Sequence, residues 1–116
     1  MHTRSHGEAF LAMFVSWMKP GIILMDEPES ALSPQRQLTL LVRMAHLAKR
    51  GDIQFIIATH SPILLTFPGA TIFSFDNGEI ATVRLEETAH YQITRGILES
   101  PDRYWKQLLR DEEPEE

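Results

Sequence analysis

The stretch Gly21-Ile22-Ile23-Leu24-Met25-Asp26-Glu27-Pro28 decides the fold of this 116-residue chain. Four consecutive large apolar residues run straight into two carboxylates, and a proline then ends the run. An apolar run this short, with no polar alternation, predicts a strand buried on both faces of a parallel sheet. Asp26 and Glu27 then fall at the strand's carboxyl end, where open α/β sheets bind their ligands. Adjacent strand residues point to opposite sides, so the two acids are expected to do different jobs. One can bind a metal through water while the other stays free as a base. Taken alone, the stretch also fits a buried strand that ends in two solvated acids.

The flanking sequence extends the pattern in both directions. Upstream, Ser5 can cap a helix over Gly7–Met18, apolar nearly all round, which Lys19-Pro20-Gly21 terminates. Downstream, Ser30-Ala31-Leu32-Ser33 reads as a loop, and Ser33 caps a second helix with Pro34 at its first position. Leu38, Leu41, Val42, Ala45 and Ala48 have the i, i+3, i+4 spacing of a buried stripe, and Gly51 closes the helix. Gln54–Ala58 is a second apolar strand, ending in Thr59-His60-Ser61-Pro62. Strand, helix and strand make a βαβ unit with an expected right-handed crossover. Thr71–Phe75 reads as a third strand, and Asp76-Asn77-Gly78-Glu79 as a hairpin turn into Ile80–Leu85. Two short helices follow, Tyr91–Leu98 and Pro101–Arg110, the second capped by Ser100.

Composition bounds the class. Apolar residues make up 43% and charged residues 23%, ordinary values for one globular domain able to bury roughly two thirds of its unfolded surface. With no cysteine, disulfides and thiolate metal sites are excluded, which suits a cytoplasmic setting. No apolar run reaches the ~20 residues that cross a bilayer, and the first residues do not read as a signal peptide. Five of the sixteen acids lie in residues 111–116, and the remaining eleven match the eleven Lys and Arg. The body is therefore neutral with an acidic tail, and nothing in it resembles a basic nucleic-acid footprint.

Four stretches now stand in one order: Ser5-His6-Gly7-Glu8, Ile22–Glu27, Ser30-Ala31-Leu32-Ser33 and Thr59-His60-Ser61. In that order they resemble the signature loop, Walker B strand, D-loop and switch histidine of an ABC-type ATPase domain. The resemblance is to soluble bacterial ABC-like ATPases of the AAA/P-loop NTPase superfamily rather than to membrane transporters, and it runs from Arg4 to about Leu85. The family's signature is usually Leu-Ser-Gly-Gly-Gln. Here it reads Arg4-Ser5-His6-Gly7-Glu8, with His6 in place of a glycine and Glu8 in place of the glutamine. Ser33 stands where the D-loop usually has aspartate.

The resemblance implies ATP and Mg²⁺ as cofactors. It implies that Asp26 orients the metal through water, that Glu27 activates the attacking water, and that His60 reaches the γ-phosphate or that water. Ser5, His6, Gly7 and Glu8 would contact a nucleotide held by the partner subunit of a dimer. The physics of a helix start agrees, because its free N–H groups and dipole attract an anion and glycine permits close approach. His2, His46 and His90 have no such context and read as surface residues. No Gly-x-x-x-x-Gly-Lys-Ser/Thr occurs in the sequence, and in the family that P-loop lies upstream of the signature.

The expected fold is therefore α/β, the distal half of a P-loop NTPase (ABC-like) fold. It has a parallel sheet core, a C-terminal β-hairpin and terminal helices, with residues 1–110 as a partial ATPase domain and 111–116 as an acidic tail. The expected partner is a P-loop-bearing N-terminal half or a homologous ATPase protomer. Two other readings stay open: a non-catalytic half-domain that complements such a partner, and a metal-dependent phosphohydrolase using Asp26, Glu27 and His60.

Overall fold

A computed structural model describes residues 21–76 and 78–112 of the chain. The helix expected over Gly7–Met18 and the stretch Ser5-His6-Gly7-Glu8 lie outside the described residues, as do Asn77 and 113–116. The chain divides into two units, residues 1–70 and 71–116.

In the first unit, strand β1 (Gly21–Asp26) pairs in parallel with strand β2 (Ile53–Ala58), with Ile23 opposite Phe55 and Asp26 opposite Ala58. Helix α1 (Pro34–Ala48) connects them, so the βαβ unit forms as expected. Ser33 Oγ accepts a hydrogen bond from the Arg36 amide at 3.3 Å and Pro34 occupies the first turn, as the capping reading requires. Gly51, with φ +79°, takes the chain out of the helix in a conformation that side chains resist.

The core is built from Leu32, Leu40, Met44 and Leu64, and Met25, Leu41, Phe55, Ile57 and Phe67 pack against it. Two expectations need correction here. The strands are not buried on both faces: Ile23, Met25, Phe55 and Ile57 are half-buried, while Ile22 and Leu24 are 64% and 73% exposed. A continuous apolar run says that a strand can be covered twice, but not which elements do the covering.

The helix stripe is also rotated. Leu38 and Val42 are exposed, and the buried residues of α1 are Gln37, Leu40 and Met44. Both sets satisfy helical spacing. The polar Gln37 hid the true one, and it is buried because its amide is hydrogen-bonded at both ends.

In the second unit, strands β3 (Ile72–Ser74) and β4 (Ala81–Val83) form the expected antiparallel hairpin, with Gly78 at φ +74° in the connection. Helices α2 (Ala89–Glu99) and α3 (Pro101–Asp111) follow. Helix α2 starts ahead of the expected Tyr91 because Thr88 caps it, its hydroxyl accepting from the Tyr91 amide at 3.1 Å and donating to the Leu85 carbonyl at 2.8 Å. Ser100 stands at the start of α3, but its side chain makes no capping bond, and Pro101 alone sets the first turn. Among the described residues of this unit no apolar side chain is buried.

Candidate active site

The two parallel strands end side by side, and the Glu27 amide donates to the Ala58 carbonyl at 2.7 Å as the last link between them. The chain then turns abruptly. Glu27 has φ 48° and ψ 54°, the one positive φ at a non-glycine position among the described residues. The left-handed region costs an L-residue ~1–2 kcal/mol, and such strain collects where function demands it.

The sequence placed Asp26 and Glu27 as successive strand residues on opposite faces. Instead β1 stops at Asp26 and Glu27 leaves it, because the buried Pro28 opens a 3-10 turn over Pro28–Ala31. That turn also corrects the reading of Ser30-Ala31-Leu32-Ser33 as a loop. Ser30 and Ala31 belong to the turn, Leu32 is extended and buried in the core, and Ser33 caps α1.

The turn brings the Glu27 side chain to the end of β2, where Glu27 Oε1 lies 3.5 Å from His60 Nε2. Both side chains are exposed, so a ligand can reach them from solvent. Asp26 is exposed at the same edge, one residue earlier.

Beneath this pair lies a hydrogen-bond system that sequence reasoning missed. Glu29 Oε1 accepts from the Thr59 hydroxyl at 2.6 Å, and Glu29 Oε2 accepts from the His60 amide at 2.9 Å. Burial pushes the Glu29 carboxyl up, but the hydroxyl and amide donors outweigh it and hold its pKa below the ordinary value. Thr59 Oγ1 also accepts from the Ser61 amide at 3.0 Å. The buried Ser61 hydroxyl donates to Gln37 Oε1 and accepts from the Leu64 amide at 3.2 Å. Gln37 Nε2 in turn donates to the Leu32 carbonyl at 3.3 Å. The segment 27–33 is thus tied to the segment 59–64 at both ends. The one sequence signal for this system was Gln37, a polar residue in register with Leu40 and Met44.

No group of three or more His, Asp or Glu among the described residues is arranged to hold a metal ion. Asp26 therefore fits Mg²⁺ only in the way that ion commonly binds, through one carboxylate supplemented by water and phosphate oxygens.

Residues 9–66, half of the chain, match the family described as "AAA domain, putative AbiEii toxin, Type IV TA system". This chain belongs to that AAA family. The match takes in β1, α1, β2 and His60, and leaves residues 1–8 and 67–116 outside.

The chain is 35% identical over 75 residues to the molybdenum import ATP-binding protein ModC of Paramagnetospirillum magneticum, covering 65% of this chain and 19% of that protein. It is 46% identical over 43 residues to ModC of Haemophilus ducreyi, covering 37% of this chain and 12% of that protein. It therefore spans about a fifth or less of the curated relatives it matches. No solved structure matches. The AAA match and the ModC matches together identify an ABC-like P-loop ATPase domain, covered in part. No helix among the described residues is long and apolar enough to cross a membrane.

Proposed function

We propose that this chain supplies the hydrolytic end of an ATP site. Glu27 is the general base that takes a proton from the attacking water, and His60 orients that water or the γ-phosphate. Asp26 holds Mg²⁺ through water. The observation that carries the reading is the approach of Glu27 Oε1 to His60 Nε2 at 3.5 Å, from the ends of two neighbouring parallel strands. Phosphoryl transfer asks a protein mainly for position and charge, so a base and a hydrogen-bonding partner facing one point suffice at this edge. Mg²⁺, when bound, supplies neutralisation of the phosphate charge. Exposure of Glu27 and His60 lets the phosphate arrive from solvent or from a second protomer.

In this reading Ser5, His6, Gly7 and Glu8 meet a nucleotide held by the partner of a dimer. Ser30, Ala31, Leu32 and Ser33 form the D-loop. A P-loop-bearing half or a homologous protomer provides the cradle for the β-phosphate. The test is Glu27→Gln in an assembly of this chain with a P-loop-bearing half. The amide keeps the shape but cannot accept the proton, so turnover falls by ~10²–10⁴ while nucleotide affinity is retained. Undiminished turnover would remove Glu27 from the role of base.

A second reading is a half-domain that complements a P-loop-bearing partner without turnover of its own. Calorimetry separates the two: this reading requires the chain to bind the P-loop-bearing half with no hydrolysis in the joint assembly. The phosphohydrolase reading requires metal-dependent turnover by the chain without that half.

A further inference from the structure

Both oxygens of the Glu29 carboxylate bind the segment that carries His60. The His60 side chain is 74% exposed, and its backbone amide is held by Glu29 Oε2. We infer that Glu29 is a positioning residue: it holds the Thr59–His60 backbone so that the imidazole faces Glu27. The inference rests on the reading of His60 given above.

Three observations carry it. Glu29 sits in the same 3-10 turn that follows Glu27, closed by the Ser30 amide donating to the Glu27 carbonyl at 3.0 Å. The base and the clamp are therefore one rigid piece. The clamp grips a hydroxyl at 2.6 Å and a backbone amide at 2.9 Å, both donors. A carboxylate offers two acceptors and no donor, whereas glutamine in the same place would present an NH₂ group to one of those donors. The far side of the segment is anchored independently, by the buried Ser61 hydroxyl on Gln37. His60 is left between two fixed points, one of which is the carboxylate next to its target.

The test uses nuclear magnetic resonance on the nucleotide-free chain, so its outcome is separate from that of any turnover assay. In Glu29→Gln, exchange of the His60 amide is expected to accelerate about tenfold or more, while the Leu40 and Met44 amides of the core helix stay within about twofold. The cross-relaxation peak between the His60 ring and the Glu27 side chain disappears.

Thr59→Val removes the hydroxyl without altering shape and moves both readouts in the same direction, whereas Thr59→Ser restores them. An unchanged His60 amide and ring peak in Glu29→Gln and Thr59→Val would overturn the inference. If Glu29→Gln unfolds, Thr59→Val decides. A uniform acceleration at His60, Leu40 and Met44 would make the clamp merely structural and would likewise overturn it. Loss of the positioning role would leave the Glu27→Gln test untouched, and failure of that test would leave these two readouts as they stand.

Discussion

The pair Gln37–Ser61 offers the most quantitative test of how the two segments are joined. Both side chains are buried, at 8% and 6% exposure, and they bond to each other. Ser61→Ala leaves Gln37 Oε1 without that donor and the Leu64 amide without that acceptor. Each orphaned buried group costs ~1–3 kcal/mol, so the expected loss for the two is about 2–6 kcal/mol. Gln37→Leu keeps the volume but strands the Ser61 hydroxyl and the Leu32 carbonyl. The apolar side chain recovers part of that cost, leaving a loss of about 1–3 kcal/mol.

In the double variant the central bond has no surviving half. Replacing both partners with apolar groups is close to neutral for that bond, so the double variant should be about 1–2 kcal/mol more stable than the sum of the single losses predicts. Urea unfolding followed by circular dichroism reads this directly. With a slope of ~1–3 kcal/mol per molar, a 2 kcal/mol loss moves the midpoint by about 1 M. Losses that add to within ~0.5 kcal/mol would show that the two side chains are not energetically coupled, and the reasoning would fail.

Three further outcomes are expected. Glu27→Gly should melt at a higher temperature than Glu27→Ala, by the equivalent of about 0.5–1 kcal/mol, because glycine adopts the left-handed backbone freely; equal melting would mean that Glu27 is not held there. His60→Ala should lower turnover in the P-loop-bearing assembly with no loss of melting temperature, since its ring is exposed, and a large stability loss would make the histidine structural. Glu29 has a folded pKa below its ordinary value of 4.5, so its stabilisation is complete above that value and is lost as pH falls through the lowered one. Unfolding midpoints measured from about pH 5 down to 3 should fall less steeply in Glu29→Gln than in the wild type, and parallel profiles would contradict the carboxylate's assigned contacts.

The sequence by itself determined the βαβ unit, the hairpin and the edge of the sheet where Asp26, Glu27 and His60 gather. These follow from local rules. Ile22–Met25 and Gln54–Ala58 are runs too short and too apolar for anything but strands, Ser33-Pro34 and Gly51 bracket the helix between them, and parallel pairing then puts both strand ends together.

Tertiary structure alone decided which face of α1 is buried, where Glu27 points, and what holds His60. Leu38–Val42 and Leu40–Met44 spell equally good stripes, and the choice between them came from Gln37 finding Leu32 and Ser61 as partners. Glu27 reads as the next residue of a strand, and only the structure shows it in the left-handed region, just ahead of the buried Pro28 and its turn. Glu29 is one more surface acid in the sequence. It becomes the clamp of Thr59 and His60 only because the parallel register brings a residue thirty positions away within 2.6 Å. Such contacts join distant parts of the chain, and no local spacing rule encodes them.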